Sequence, residues 1–161
     1  ARRIDRLMAR DPDPTVVDLT AVVPSLLSQI TSDDVTVNTA FPSTATLRTD
    51  AEILRTTLTS PLENAVKYAE SSVTVSIAPA PDKEGYRIAI SDDGPGIPAA
   101  ELESLAAGTE TSLQHGRGLG LWQLRWGTDA LGGDLSFETD DGTTVNITLA
   151  DLTDQTETET E

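Results

Sequence analysis

The 161-residue chain has no cysteine, which removes disulfides and thiolate metal sites from its chemistry. Lysine is nearly absent too: Lys67 and Lys83 are its two lysines, and the rest of its 11 basic residues are arginine. Set against 27 acids and a formal charge of −16, so few cations exclude a nucleic-acid binder recruited by bulk charge. No apolar run approaches the roughly 20 residues of a membrane-crossing helix, and no signal-peptide pattern is present. A soluble segment is therefore expected, which could also be the cytoplasmic end of a membrane-bound protein without direct membrane contact of its own. Its length suits one domain with a real core. Heavy acidity, arginine in place of lysine and few large apolar side chains fit a protein kept soluble in very salty cytoplasm, where screening removes self-repulsion.

Along the chain, Arg2, Arg3, Arg6 and Arg10 alternate with Ile4, Leu7 and Met8 in a short amphipathic helical pattern. The Asp11-Pro12-Asp13-Pro14 run that follows reads as a hinge, so residues 1–14 are expected to be the end of a preceding helix or a frayed terminus. Val16 to Leu19 predicts a strand, and Leu19, Val22, Val23, Leu26, Leu27 and Ile30 predict a core helix. Val35 and Val37, then Ala45 and Leu47, alternate as two strands around Phe41-Pro42-Ser43. Asp50 opens a helix whose buried side carries Leu54, Leu58, Leu62 and Ala65, while Asn64, Lys67 and Tyr68 cluster on another surface. Within it, Ser60-Pro61-Leu62-Glu63 has the form of a capping box, which predicts a kink or a restart at Ser60 and makes Glu63 a capping carboxylate rather than a base.

Val73, Val75 and Ile77 form the next strand, and Tyr86, Ile88 and Ile90 another, which empties into Ser91-Asp92-Asp93-Gly94-Pro95-Gly96-Ile97-Pro98. This turn leaves Asp92 at a strand end, where a carboxylate can accept a hydrogen bond from an exocyclic amino group such as that of adenine. Asp-Asp-Gly also makes ordinary hairpins, and recurs at Asp140-Asp141-Gly142, so the turn alone leaves both readings open. A polar stretch from Pro98 to His115 reads as a lid. Gly116-Arg117-Gly118-Leu119-Gly120-Leu121 then opens a helix that ends at Gly132-Gly133, an arrangement that turns bare N–H groups towards a phosphate. Leu135 and Phe137, then Val145, Ile147 and Leu149, predict a closing hairpin, and the acidic tail 151–161 is expected to be disordered.

Taken together, the Asn-Ala-Val-Lys-Tyr helix, the Asp-Asp-Gly-Pro-Gly-Ile turn, the lid, Gly-Arg-Gly-Leu-Gly-Leu and the Gly-Thr-Thr strand resemble the ATP-binding domain of sensor histidine kinases. That family lies within the gyrase, Hsp90, histidine kinase and MutL (GHKL) superfamily, and the likeness spans 16–149. The resemblance implies a two-layer α/β (α+β) sandwich of Bergerat type: a mixed, mostly antiparallel sheet of about five strands on three helices, over residues 15–150. It implies ATP and Mg2+ as ligands, with Asn64 on the metal, Lys67 on phosphate and Tyr68 against base or ribose. Asp92 would take the adenine amino group, with Gly94, Gly96 and Ile97 shaping its pocket and Thr143 or Thr144 supporting it through a water. Gly116, Gly118 and Gly120 would approach the phosphates, with Leu119 and Leu121 lining the pocket and His115 a lid residue. Arg117 either reaches the terminal phosphate or is solvated.

The implied activity is transfer of the ATP γ-phosphoryl to a histidine on a dimerisation helix outside this chain, in a homodimer, for relay to a response regulator receiver domain. A nucleotide-binding module without catalysis and a serine kinase of the anti-sigma type are the alternatives. Ser60 stands where the gyrase, Hsp90 and MutL branches carry a hydrolytic Glu, which disfavours an ATP-driven clamp. Trp122 and Trp126, one helical turn apart, suit packing rather than stacking on nucleotide.

Overall fold

A computed structural model of the chain describes residues 11–30, 33–80, 85–95, 117–138 and 142–152. The amphipathic expectation for 1–10 and the lid lie outside them, as do residues 153–161. Seven strands and three helices are described, in the order β1 (Thr15–Asp18), α1 (Leu19–Ile30), β2 (Thr36–Ala40), β3 (Thr46–Thr49), α2 (Ala51–Tyr68), β4 (Ser72–Pro79), β5 (Gly85–Asp92), α3 (Arg117–Ala130), β6 (Asp134–Glu138) and β7 (Thr143–Ala150).

Five strands form one mixed sheet in the order β2-β4-β5-β7-β6, in which β2 and β4 are parallel and the other pairs antiparallel. The expected sandwich is thus present, with a separate antiparallel ribbon of β1 and β3 added to it. The two strands around Phe41-Pro42-Ser43 are not paired with each other: β2 joins the sheet and β3 joins β1. Register explains the core. Ile77, Ile88, Ile147 and Leu135 lie in one cross-strand row, and Val75, Ile90, Val145 and Phe137 in the next, so alternate residues on each strand face the helices. In the row beyond, Val73 is followed by Asp92 and Thr143, and here the apolar face gives way to polar groups.

Local chemistry fixes the helix ends. The Asp18 carboxylate accepts from the Thr20 amide (2.9 Å) and hydroxyl (2.6 Å) and caps α1, and the Thr20 hydroxyl, more than any other partner, holds the Asp18 carboxyl below its ordinary range. Asp50 caps α2 with one carboxylate oxygen on the Ile53 amide at 2.9 Å, while its other oxygen accepts from the Asp13 amide at 2.7 Å. At the far end of α3, Gly133 N–H reaches Thr128 C=O and Gly132 N–H reaches Asp129 C=O, a Schellman stop with Gly132 at φ 70°.

One expectation fails, and the margins of two other segments are tied to the domain. The helix does not restart at Ser60: α2 runs unbroken for 18 residues from its Asp50 cap, and Ser60 and Pro61 are buried within it. Pro61 lacks the donor that would reach Thr57 C=O, and at the neighbouring residue Gln123 of α3 donates its side-chain amide to Thr56 C=O at 3.1 Å. The tail is held at its start, because Leu152 is buried and donates to Arg48 C=O, while Asp151 accepts from the Arg48 amide. The hinge is likewise tied at Asp13 by Asp50 and at Pro14, whose carbonyl accepts from the Arg48 guanidinium at 3.2 Å.

Helices α2 and α3 come into close contact at Thr57 and Gly127, where a Cβ added to Gly127 would lie 1.8 Å from the Thr57 hydroxyl. That buried hydroxyl donates to Ile53 C=O at 2.7 Å, a bond it would have to give up to turn aside. Gly127→Ala should therefore destabilise by about 1–3 kcal/mol, since overpacking outweighs the roughly 1 kcal/mol that alanine gains in a helix. Urea unfolding of Gly127→Ala and of Gly127→Ala/Thr57→Ala measures this, with the second substitution expected to restore part of the loss; a more stable single variant would contradict the packing.

Candidate functional site

Asn64, Lys67 and Tyr68 occupy the last turns of α2. The helix repeat continues the α3-facing positions Thr57 and Ser60 into Asn64 and then Lys67 and Tyr68, while Leu54, Leu58, Leu62 and Ala65 fill the core. Asn64 and Tyr68 are half-buried and Lys67 is exposed, its ammonium lying 5.3 Å from the centroid of the Tyr68 ring.

Asp92 ends β5 and shares the helix-facing parity of Ile88 and Ile90. One of its carboxylate oxygens accepts from the Gly94 amide at 2.8 Å. Gly94 is buried against the end of α2, where a Cβ would fall 2.2 Å from Tyr68 C=O. Only a glycine lets the Asp92 turn come that close to the helix. The structure therefore brings Asp92 and Gly94 together with the Asn64, Lys67 and Tyr68 segment.

Thr143 is buried and directly opposite Asp92 in the β5–β7 register, so it is on Asp92's side of the sheet. Thr144 is on the other side, where its hydroxyl pairs with that of Ser91 at 2.7 Å. Of the two threonines, Thr143 is the one that shares a face with Asp92. Arg117, Gly118, Leu119, Gly120 and Leu121 form the first turns of α3, whose described side chains begin at Gln123. Gly96, Ile97, His115 and Gly116 lie outside the described residues. Trp126 packs half-buried on the core, as a structural tryptophan would.

Two residues that the sequence reading passed over hold this arrangement. The Asp93 carboxylate accepts from the amides of Glu70 (2.8 Å), Ser71 (3.0 Å) and Ser72 (3.2 Å) and from the Ser71 hydroxyl, and the Asp93 amide returns a bond to Ser72 C=O at 3.3 Å. Its place beside Asp92 was the signal, because neighbours at a strand end point opposite ways and cannot both enter one pocket. Gly142, at φ 95°, comes against the Asp92 backbone, where a Cβ would lie 2.1 Å from Asp92 C=O. Among the described residues no group of three or more His, Cys, Asp or Glu could hold a metal, and no helix is long and apolar enough to cross a membrane.

With that geometry in place, residues 49–153 match the family of histidine kinase-, DNA gyrase B- and HSP90-like ATPases, and the chain belongs to it. Its curated relatives include the sensor protein KdpD of Escherichia coli strain K12, 31% identical over 105 residues that make up 62% of this chain and 12% of KdpD. The sensor protein kinase CarS of Pseudomonas aeruginosa is 39% identical over 105 residues, 63% of this chain and 23% of CarS. This chain thus spans a quarter or less of the length of either relative. The mycobacterial sensor histidine kinase MprB has the same fold, with a TM-score of 0.72 at 24% identity over 85% of this chain and 97% of that structure. Membership in an ATPase family implies that the domain binds ATP.

The Asp93 bonds carry a pH signature. The Ser71 hydroxyl first, then the Ser71 and Ser72 amides, hold the Asp93 carboxyl far below its ordinary value of 3.8. Below that value the unfolded chain takes up a proton that the folded chain refuses, so the contribution is complete above 3.8 and is lost as pH falls towards the folded value. Asp93→Asn should be less stable than the wild type at about pH 6, with the gap closing towards about pH 3. Urea midpoints across that range measure it, and a gap that stays constant would contradict the assignment.

Proposed function

We propose that this chain is the catalytic ATP-binding domain of a two-component sensor histidine kinase, which donates the ATP γ-phosphoryl to a histidine on a helix outside residues 1–161. The observation that carries the reading is the seating of the Asp92 turn on the end of α2, beside Asn64, Lys67 and Tyr68, within the segment that matches the family. In this reading Asp92 accepts from the adenine amino group, Tyr68 lies against base or ribose, and Thr143 supports Asp92 through a water. Gly94, Gly96 and Ile97 shape the pocket around the base.

Helix α3 packs on α2, with Gly127 against the Thr57 side chain and Gln123 donating to Thr56 C=O. In this reading the start of α3, with Gly118 and Gly120, lies towards Asn64. There the N–H groups at the start of α3, with Gly116, Arg117 and His115, meet phosphate, and Leu119 and Leu121 line the pocket. Lys67 adds a cation. The Asn64 amide oxygen is a hard ligand fit for Mg2+, an ion bound mostly through one or two protein oxygens, phosphates and water rather than a cage of carboxylates. When bound, Mg2+ would neutralise charge on the phosphates. The protein's part is to align the nucleotide so that the acceptor imidazole nitrogen bonds to the γ-phosphorus as the bond to the ADP oxygen breaks.

The acceptor helices belong to the same full-length kinase, as a homodimer, and a response regulator receiver domain takes the phosphoryl onward, in the cytoplasm. Ser60, buried in α2, places no carboxylate at a position where a hydrolytic family member needs one, which favours transfer over hydrolysis. Titration with a fluorescent ATP analogue and Mg2+ tests the site. Asp92→Asn should weaken binding about 10- to 100-fold, the value of a buried bond to a charged acceptor, and unchanged affinity would overturn the pocket. Adding a separately produced acceptor-helix protein should yield acid-labile phosphate; binding without transfer would mark a regulatory nucleotide-binding module, and acid-stable phosphoserine a serine kinase.

A further inference from the structure

Asp92 and the row Asn64, Lys67 and Tyr68 come from different elements, so the distance between base recognition and phosphate recognition depends on whatever joins β5 to the end of α2. Asp93 makes that joint. Just after the α2 cap at Ala69, three consecutive amides, of Glu70, Ser71 and Ser72, converge on its carboxylate, together with the Ser71 hydroxyl. The Asp93 amide donates in return to Ser72 C=O. One residue on, Gly94 is packed against Tyr68 C=O, and one residue back, Gly142 abuts Asp92 C=O.

We propose that Asp93 is a positioning residue of the nucleotide site: without touching nucleotide, it sets the spacing between Asp92 and the Asn64, Lys67 and Tyr68 end of α2. The inference rests on the nucleotide reading above. A ligand with phosphates, such as ATP or ADP, then depends on Asp93 for its reach from Asp92 to Asn64 and Lys67, whereas adenosine, which engages Asp92 and Tyr68 but neither Asn64 nor Lys67, depends on it far less. A residue that merely stabilised the fold would weaken both alike.

The carboxylate's role divides into two parts. An acceptor oxygen aimed at the three amides sets geometry, and asparagine retains it. The charge adds stability, and asparagine loses it. Alanine loses both. Asp18 supplies a control, because its carboxylate gathers a similar set of bonds, from the Thr20 amide and hydroxyl and the Ala45 amide, at the start of α1.

The experiment measures displacement of a fluorescent ATP analogue by Mg-ADP and by adenosine from the wild type, Asp93→Ala, Asp93→Asn, Ser71→Ala and Asp18→Ala, with a urea midpoint for each. Asp93→Ala should lose about tenfold in Mg-ADP affinity and less than about threefold for adenosine, with Asp93→Asn staying within about threefold of the wild type for both. Ser71→Ala, which removes one of the bonds and keeps the amides, should fall in between and covers the case in which Asp93→Ala does not fold. Asp18→Ala should lose stability and keep its affinity. Equal losses for Mg-ADP and adenosine, wild-type affinity in Asp93→Ala or Ser71→Ala, or an Asp18→Ala loss as large as that of Asp93→Ala would overturn the inference. A wild type that binds no nucleotide at all would sink the nucleotide reading itself, and the inference with it.

Discussion

Three successive amides of the chain leaving α2 point at one carboxylate at the end of β5, and the geometry of the site follows from that convergence. Partly solvated bonds of this kind contribute modestly one by one, since water competes for each donor. Their effect lies in direction. Bonds from consecutive residues to a single group leave the α2–β4 turn little freedom to rotate or slide against β5. Glycine then brings the backbones closer than any side chain would allow, with Gly94 under Tyr68 C=O and Gly142 against Asp92 C=O. The turn is gripped from the helix side and from the hairpin side at once.

That grip matters because α2 is itself a rigid body. Its N-terminus is fixed by Asp50, a buried carboxylate that also holds the entering chain at Asp13. Its body is fixed by Leu54, Leu58 and Leu62, all fully buried, and its other flank by the Thr57–Gly127 contact. A break at Ser60 would have let the segment carrying Asn64, Lys67 and Tyr68 find its own angle. An unbroken helix instead makes the placement of those residues a consequence of packing two turns away. The same Asp50 and Arg48 tie the entering chain at Asp13 and Pro14 and the leaving chain at Asp151 and Leu152 to the start of this helix.

Much of this could be read from sequence where a period was long enough to show. Ile88, Ile90 and Asp92 share a parity, so the carboxylate had to face the helices if the isoleucines were core, and the register confirms that they are. Pro61 was misread because Ser60 and Glu63 satisfy a local capping rule that the chain does not use. Once Asp50 has nucleated the helix, ending it would forfeit the burial of Leu58 and Leu62, roughly 2 kcal/mol or more each, against about 3 kcal/mol for an interior proline. Leu152 was misread because a single apolar residue in an acidic tail carries no period, and its partner, Arg48, is a hundred residues away in sequence. Position beside Asp92 turns Asp93 away from the pocket, but its partners are hidden for a related reason: Glu70 to Ser72 are polar residues in a turn, and nothing in composition marks their amides as a cluster.

A further constraint comes from charge. A chain of −16 must accept a nucleotide that is itself strongly anionic, and the average field of the protein opposes the encounter. At physiological ionic strength that field is screened beyond about 8 Å, so distant acids count little and the groups within one turn of the phosphates decide. Lys67 is one of two lysines in the sequence and lies in the last turn of α2, where the negative end of the helix dipole and the Tyr68 ring both favour its charge. A cation so placed is held near the site rather than dispersed over the surface. The start of α3 offers the complementary device, a positive dipole end that carries no net charge. On the proposed reading, local attraction built from one lysine and backbone N–H groups lets the rest of the surface stay acidic, and phosphate recognition then turns on the alignment of α2 with β5, the alignment proposed for Asp93 to set.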